Sequence, residues 1–200
     1  MLTKICILGG SGLIGSTILS KNYPVEKISY TYRKNIINIK SNRLQLDIPR
    51  DFKKLKEFIT IEEPDYIINT ISNSNPNYCE INQEETLDVN VEFIKKIFEL
   101  TKNRGIKLIQ FSTDYVFNGK KGNYVESDLP NPINYYGKTK LEAEDFENWK
   151  DVKGFKDDED GLFHKIFKWI PPKTHPEDLT KEEFEKNLQT KDGLNFLENY

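Results

Sequence analysis

The sequence predicts an α/β fold of the Rossmann type, a doubly wound parallel sheet with a short atypical C-terminal extension. Short segments rich in β-branched residues alternate with segments whose apolar residues recur at helical spacing, which is typical of parallel sheets covered by helices on both faces. The first strand and helix are joined by the glycine-rich turn Gly9–Gly15. This alternation ends near Trp149, so we expect one domain over residues 1–149 and a different segment over 150–200.

The first five elements are predicted from the spacing of apolar residues and from the glycine and proline residues at their ends. Leu2–Leu8 is an apolar run that ends at glycine, and Leu13–Leu19 has helical spacing. Lys27–Tyr32 is rich in β-formers, and Arg43–Asp47 is a short third strand. Pro49–Thr60 carries a stripe of apolar residues at helical spacing, with its proline in the first turn.

The next elements continue the alternation. Tyr66–Ile71 is a β-branched run of the buried-strand type, and the polar, turn-rich segment Ser72–Gln83 is predicted as a loop. Glu84–Arg104 has helical periodicity and is followed by a glycine, which is typical of a helix end. Lys107–Phe111 is the fifth strand and Asn134–Phe146 the last helix of the domain.

Composition argues against several functional classes. The 200 residues are 36% hydrophobic and 30% charged with a net charge of −3, which gives no electrostatic case for binding nucleic acid or an acidic membrane surface. No apolar run approaches the roughly 20 residues needed to span a bilayer, and no secretory signal is recognisable. Cys6 and Cys79 lack disulfide or zinc spacing, so we expect no metal site. The expectation is a cytoplasmic protein without membrane or nucleic-acid partners.

The glycine-rich turn is the first motif with chemical meaning. Gly9, Gly12 and Gly15 lie three residues apart between a strand and a helix. Glycine suits this position because the backbone must turn sharply and approach a pyrophosphate without an intervening Cβ. The motif predicts a dinucleotide site, and a purely structural tight turn is the alternative.

The end of the second strand bears on the choice of cofactor. An acidic residue about 20 positions after the glycines binds the ribose hydroxyls of NAD. Here the strand ends in Tyr32, Arg33 and Lys34, with two cations and no acid. This pattern favours the 2′-phosphate of NADP(H), with NAD(H) as the other cofactor under consideration. A basic surface loop explains the two cations equally well.

Two further motifs place reactive groups near such a site. Tyr136 and Lys140 are four residues apart, so they project from the same face of a helix, and a nearby ammonium favours the phenolate form of tyrosine. Ser112 and Thr113 follow a predicted strand at the sheet edge where open α/β folds bind ligands. The structural alternatives are a surface helix and hydroxyls that satisfy turn backbone.

Three segments, Ser112–Phe117, Glu126–Pro132 and Tyr135–Glu144, closely resemble the dTDP-4-dehydrorhamnose reductase family of extended short-chain dehydrogenases. The regulatory β subunit of methionine adenosyltransferase belongs to the same group. The resemblance covers Met1–Phe146, and its central motifs are specific to the family.

The resemblance implies reduction of the 4-keto group of a nucleotide-linked deoxysugar by a nicotinamide cofactor. It implies that Thr113 hydrogen-bonds the keto oxygen, Tyr136 donates the proton, and Lys140 binds the nicotinamide ribose and lowers the pKa of Tyr136. The nucleotide sugar is then the expected partner, and a homodimer is left open. From the motifs and the resemblance together, the predicted cofactor-binding residues are Gly9, Ser11, Gly12, Leu13, Ile14, Gly15, Arg33, Asp47, Ile48, Asn69, Thr70, Tyr136 and Lys140.

The region after the last helix departs from the family. Members of the family have a smaller substrate-binding region with an arginine-bearing segment soon after the Tyr-Lys helix, whereas no arginine follows Arg104 here. Residues 150–200 are therefore interpreted as an atypical segment or a reduced substrate lobe. Two other interpretations are a non-catalytic dinucleotide-binding or regulatory protein, and a Rossmann domain followed by an unrelated tail from a shifted reading frame.

Overall fold

The computed structural model describes residues 3–21, 25–37, 39–125 and 128–144. The predicted segment 150–200, and the end of the helix predicted over Asn134–Phe146, lie outside these residues.

The described chain contains one five-stranded sheet in which every pair of neighbouring strands is parallel. The strand order is β3-β2-β1-β4-β5, so the central strand β1 separates two halves that are wound in opposite directions. This arrangement confirms the predicted Rossmann-like fold. The strands are β1 (Lys4–Leu8), β2 (Lys27–Tyr32), β3 (Asn42–Gln45), β4 (Tyr66–Asn69) and β5 (Lys107–Gln110).

Helices connect the strands as the apolar periodicity predicts. Between α4 and α5 the chain continues through one π-helical turn, Asp88–Glu92, without leaving the helix. The helices are α1 (Leu13–Leu19), α2 (Phe52–Glu62), α3 (Pro76–Ile81), α4 (Gln83–Leu87), α5 (Phe93–Thr101) and α6 (Tyr135–Glu144).

The segment predicted as a loop, residues 72–83, contains the short helix α3. Its polar composition hides two helix-start signals: Pro76 occupies the first helical turn, and the Asn75 side chain accepts a hydrogen bond from the backbone N–H of Tyr78 at 3.0 Å. The prediction for α2 placed its start at Pro49, but the helix begins at Phe52, after Asp51. The sequence prediction therefore misses α3 and places the start of α2 about one turn too early.

The main core cluster lies between the sheet and helices α2 and α5. Phe93, Ile94 and Ile97 of α5 are fully buried, and the ring of Phe93 meets that of Phe52 edge to face at 6.3 Å. Cys6 of β1 is fully buried in the same cluster, and burial raises the pKa of its thiol to about 12. Cys6 is therefore an inert core residue, as its apolar surroundings in the sequence indicate.

One buried amide ties the π-helical turn to its neighbours. The Asn90 side chain accepts from the backbone N–H of Asn73 at 2.8 Å and donates to the carbonyl of Asn73 at 3.0 Å. It also accepts from the Ser72 hydroxyl at 3.1 Å and donates to the Thr139 hydroxyl at 3.1 Å. Asn90 is 2% exposed, so all four of its hydrogen-bonding positions are used inside the protein. It thereby joins the loop after β4 to α6.

We predict that Asn90→Ala lowers the free energy of unfolding by about 3 kcal/mol, because it leaves several buried polar groups without partners. Urea unfolding followed by circular dichroism measures this loss. The control Asn103→Ala removes an exposed amide of the same size and should cost less than about 0.5 kcal/mol. Equal losses in the two variants would contradict the role assigned to Asn90.

Candidate active site

The loops that follow β1, β2, β3 and β4 border a groove of about 380 Å³ at the carboxyl edge of the sheet. This is the edge, next to the strand where the winding reverses, at which doubly wound folds bind ligands. Six of the predicted cofactor residues line the groove, and they are Gly9, Ser11, Gly12, Arg33, Ile48 and Thr70.

The glycine turn is held from both sides by hydroxyl groups. Gly9 has a φ of +83°, a conformation that residues with a Cβ rarely adopt. Its N–H donates to the Thr31 hydroxyl at 3.0 Å, and the Thr70 hydroxyl donates to the carbonyl of Leu8 at 2.8 Å. A Cβ on Gly9 would also lie 2.8 Å from the Thr70 hydroxyl oxygen. The shape of the turn therefore depends on β2 and β4 as well as on its own sequence.

The other two glycines have different surroundings. A Cβ on Gly15 would collide with the carbonyl oxygen of Gly9, so Gly15 lets α1 pack against the turn and does not itself line the groove. Gly12 has an ordinary φ of −75° and faces the groove, and the one atom near its missing Cβ is the Gly9 oxygen at 3.3 Å. Leu13 and Ile14, which follow it, are 59% and 42% exposed.

Basic and acidic groups meet where the groove passes the ends of β2 and β3. The guanidinium of Arg33 lies 2.9 Å from the carboxylate of Asp47, which also lies 3.2 Å from Arg50. Arg33, Lys34 and Ile48 line the groove here. The Arg33 side chain is 68% exposed, so its ion pair with Asp47 leaves much of the guanidinium accessible.

Asn69 is a buried residue that holds the loop after β4, which borders the groove. It is fully buried at the end of β4, donates to the Gln110 side chain at 2.7 Å and accepts from the backbone N–H of Ile71 at 3.2 Å. The structure therefore places Asn69 under the loop after β4, where it fixes the path of that loop, and not among the residues that line the groove.

Tyr136 lies beside the same loop. The hydroxyls of Thr113 and Ser72 lie close enough to its phenol to lower the pKa of Tyr136. Ser72 also lines the groove. The ring of Tyr115 packs edge to face against that of Tyr136 at 5.7 Å. The structure thus brings together Thr113 and Tyr136, which the sequence predicted to act as a pair.

Burial is the main influence on the pKa of Tyr136. Burial raises the pKa of the Tyr136 phenol above its ordinary value of 10.0, and this outweighs the hydroxyls of Thr113 and Ser72, which lower it. Desolvation dominates this shift. The ammonium of Lys140 donates to the carbonyl oxygen of Phe111, and the expectation that Lys140 lowers the pKa of Tyr136 stays a prediction. The phenol keeps its proton at neutral pH.

Lys140 lies one helical turn after Tyr136 on α6 and is 4% exposed. Burial lowers the pKa of its ammonium from 10.5 to about 8, although the carboxylate of Glu144 acts in the opposite direction. Its ammonium donates a hydrogen bond to the carbonyl oxygen of Phe111, the residue that follows β5. Lys140 therefore loses its proton more easily than an ordinary lysine. Shifted pKa values of this kind are common among residues of functional sites.

Three site residues were not given a role from sequence. Ser72 lies in the segment predicted as a loop, and Asn90 lies in the middle of a predicted helix. Neither position suggests a function by itself. Asn90 carries a signal, since it is an amide between two valines in a helical segment, and all three residues are buried. Gly137 lets α6 pack closely against the backbone at Tyr115, because a Cβ at position 137 would collide with the carbonyl of Tyr115.

Within residues 3–144, gaps excepted, no three His, Cys, Asp or Glu side chains are grouped so that they would hold a metal ion. Among the helices that the structure describes, none has the length and hydropathy required of a membrane span.

Residues 3–149 match the family model described as the RmlD substrate binding domain. The chain is 31% identical over 144 residues to methionine adenosyltransferase 2 subunit beta from Danio rerio, which covers 70% of this chain and 42% of that protein. It is 30% identical over 140 residues to the probable low-salt glycan biosynthesis reductase Agl14 from Haloferax volcanii, covering 69% of this chain and 46% of that protein.

Solved structures agree with these matches. The hypothetical dTDP-4-dehydrorhamnose reductase from Sulfolobus tokodaii superposes with a TM-score of 0.61 at 38% identity, over 70% of this chain and 50% of that one. The dTDP-4-dehydrorhamnose reductase from Bacillus anthracis, solved in complex with NADP, has a TM-score of 0.59 at 24% identity and shows the shared fold. This chain spans about half the length of the relatives that it matches.

The match over residues 3–149 and the solved relatives confirm the predicted family. The chain belongs to the RmlD substrate-binding-domain family, the family of the dTDP-4-dehydrorhamnose reductases.

Proposed function

We propose that this protein is a reductase that uses NADPH to reduce the 4-keto group of a nucleotide-linked deoxysugar. The observation that carries the proposal is the position of Tyr136. Its protonated phenol lies near Thr113 and near Ser72, which lines the groove that begins at the glycine turn. A dinucleotide site and a proton donor are therefore adjacent.

The groove fits a dinucleotide in shape and chemistry. Gly12 presents backbone without a Cβ to the groove, which is what a pyrophosphate needs for close approach. Ser11 and Thr70 add hydroxyl-bearing residues along the same wall. When bound there, a reduced nicotinamide would supply the hydride for the carbonyl carbon of the substrate.

The protein's own residues supply the proton. Tyr136 donates its phenolic proton to the keto oxygen, which becomes the hydroxyl of the product, and the phenol is left as phenolate. Thr113 donates a hydrogen bond to the same keto oxygen once its hydroxyl turns away from the carboxylate of Asp114, 3.2 Å away. Lys140 holds the nicotinamide ribose, and its positive charge at neutral pH stabilises the phenolate.

The choice of NADPH over NADH depends on Arg33 and Lys34. Both line the groove at the ends of β2 and β3, and their charges suit a 2′-phosphate. Asp47 opposes this preference because it pairs with Arg33 at 2.9 Å. NADH is the second candidate cofactor for this reason.

A second candidate function is that of a non-catalytic regulatory subunit. It is favoured by the 31% identity to methionine adenosyltransferase 2 subunit beta over 144 residues. Under this proposal the groove binds a dinucleotide and Tyr136 has no chemical role. Turnover of a keto sugar distinguishes the two functions.

We predict that Tyr136→Phe lowers kcat for reduction of a dTDP-4-keto-6-deoxy sugar by about 100-fold or more, because general-acid catalysis is lost. Oxidation of NADPH, followed by its absorbance, measures the rate. The control Tyr135→Phe removes the neighbouring hydroxyl on the same helix and should retain most of the activity. Wild-type protein that binds NADPH and leaves the sugar unreduced would favour the regulatory candidate.

We predict that Gly12→Ala weakens NADPH binding about tenfold or more, because its Cβ enters the groove at the site assigned to the pyrophosphate. Its φ of −75° suits alanine, but the new Cβ lies 3.3 Å from the carbonyl oxygen of Gly9, so Tm should fall slightly while the fold is kept. Isothermal titration with NADPH and NADH measures both affinities. The control Ser20→Ala, at the other end of α1, should bind as the wild type does. Unchanged affinity in Gly12→Ala would place the dinucleotide elsewhere.

The pKa of Lys140 predicts how stability depends on pH. The folded protein holds the Lys140 proton less tightly than the unfolded chain, whose lysine pKa is 10.5. Burying the charged form therefore costs stability below pH 8, and this cost disappears as the pH rises from about 8 to 10.5.

We predict that, relative to Lys140→Met, the wild-type protein gains about 3 kcal/mol of unfolding free energy across that interval. Urea unfolding of both proteins at several pH values gives the difference. Lys138→Met, which replaces an exposed lysine on the same helix, should show no such gain. A wild-type minus Lys140→Met difference that stays constant would show that Lys140 has an ordinary pKa.

A further inference from the structure

Helix α6, which carries Tyr136 as its second residue, begins with backbone N–H groups that have no partner within the helix. The first helical hydrogen bond of α6 runs from the N–H of Lys138 to the carbonyl of Asn134 at 3.1 Å. The N–H groups before Lys138 therefore need other partners. The structure shows such partners for Tyr135 and Gly137.

The two partners are side chains of very different origin. The Asn134 side chain, directly before the helix, accepts from the N–H of Gly137 at 2.7 Å, as an ordinary helix cap does. The N–H of Tyr135 donates to the carboxylate of Glu80 at 2.6 Å, and Glu80 lies 55 residues earlier in the chain. A hydrogen bond to a carboxylate is about twice as strong as a neutral one. Glu80 of α3 therefore holds the start of α6 from outside the helix.

The charge of Glu80 suits this position. The N-terminus of a helix carries a partial positive charge, which a carboxylate stabilises. The first turn of α6 contains no acidic residue of its own. Glu80 thus supplies from α3 the negative charge that the first turn of α6 lacks.

Glu80 is able to hold α6 because the helix on which it lies is itself anchored. Cys79, which precedes Glu80, is fully buried, and its thiol donates to the carbonyl of Asn73 at 3.3 Å. Both backbone groups of Asn73 are bonded to the buried amide of Asn90. The end of α3 is therefore fixed to the loop after β4 and to the π-helical turn.

The same amide makes a second connection to α6. Asn90 donates to the Thr139 hydroxyl at 3.1 Å, and Thr139 donates to the carbonyl of Tyr136 at 2.9 Å. The backbone around Tyr136 is thereby held at two points. Glu80 holds the N–H of the residue before it, and Thr139 holds its own carbonyl. Both connections lead back to α3 and the loop before it.

The surroundings of Tyr136 make its position sensitive to the first turn of α6. A Cβ at position 137 would collide with the carbonyl of Tyr115, so the helix packs directly against this backbone. The ring of Tyr115 packs edge to face against that of Tyr136 at 5.7 Å, and Tyr136 is 8% exposed. A displacement of the first turn would therefore move the phenol against a closely packed neighbour and change its position relative to the groove.

We propose that Glu80 is a positioning residue of Tyr136, whose carboxylate fixes the turn of α6 that carries the phenol by accepting from the N–H of Tyr135. The proposal deepens the proposed function, on which it rests. Glu80 is not among the residues that line the groove, and it exchanges no proton in the reaction. It acts on the reduction only through the backbone of α6.

The position of the phenol is measured without turnover. A fluorinated tyrosine at position 136 of the full chain reports its surroundings by fluorine NMR. We expect Glu80→Ala to shift and broaden this resonance, because the start of α6 loses its outside partner. Glu80→Gln keeps an oxygen acceptor at the same reach and should restore the wild-type resonance. Glu80→Asp keeps the charge on a side chain that is shorter by a methylene, and it should not.

In an active protein, kinetics separate positioning from stability. Glu80→Ala should lower kcat for the keto sugar about tenfold or more, because the proton donor is misplaced. The Kd of NADPH should stay at the wild-type value, since the groove is unchanged. Rates are expressed per NADPH-binding site, so partial unfolding cannot imitate the loss. Glu80→Gln should recover most of kcat, and Glu80→Asp should not.

Glu84→Ala is the matched control, because Glu84 is an exposed carboxylate on the next helix, α4. It should leave both the fluorine resonance and kcat unchanged. Should Glu80→Ala fail to fold, the comparison of Glu80→Gln with Glu80→Asp decides the question. An unchanged resonance in folded Glu80→Ala, an equal response in Glu84→Ala, or rescue by Asp and not by Gln would overturn the proposal.

The fluorine measurement keeps this proposal apart from the reductase proposal. A resonance that depends on Glu80, in a protein that reduces no sugar, would support the positioning of Tyr136 while the reductase function fails. A reductase in which both kcat and the resonance are indifferent to Glu80 would keep its function and overturn the role of Glu80.

Discussion

Strand β1 is hydrogen bonded to β2 on one side and to β4 on the other, and the rest of the site depends on this position. Beyond its last residue the chain continues to use both neighbours: Gly10 donates to the carbonyl of Thr31 at 2.7 Å, and Thr70 donates to that of Leu8 at 2.9 Å. The loops after β1 and β4 are thereby fixed side by side. Because the strands are parallel and the winding reverses here, the connecting helices diverge and leave a groove between these loops.

Around this arrangement of strands, buried polar side chains hold the loops of the site in place by hydrogen bonds within the protein. Thr70 fixes the glycine turn, Asn69 fixes the loop after β4, and Asn90 joins that loop to α6. Each holds backbone at a point where no sheet pairing is available. The cost of leaving such buried groups unpaired is large, so the network fixes the positions of Ser72 and of the Tyr136 backbone.

Much of the fold follows from the sequence because alternating apolar runs and a strand-glycine-helix unit have few physical solutions. Leu13–Leu19 and Lys27–Tyr32 coincide with α1 and β2 as their apolar patterns indicate. The pairing of Thr113 with Tyr136 also follows, since both motifs lie at the carboxyl edge. The site's supporting contacts do not follow, because Asn90 and Ser72 are 18 residues apart and their meeting depends on tertiary packing.

The electrostatics of the site are likewise predicted only in part from the sequence. Sequence places Lys140 one turn from Tyr136, but spacing alone does not show that the ammonium donates to Phe111 or that both side chains are buried. Desolvation then acts on each group separately, raising the pKa of the phenol and lowering that of the ammonium. The result is a protonated phenol that is suited to act as an acid.

The central claim is that the groove at the carboxyl edge of the sheet leads a dinucleotide to Tyr136. A crystal structure of the protein with NADPH tests it most directly. The account predicts the pyrophosphate against Gly9–Gly12, the 2′-phosphate near Arg33 and the nicotinamide beside Ser72 and Tyr136. A dinucleotide bound elsewhere, or one whose nicotinamide lies away from Tyr136, would contradict it.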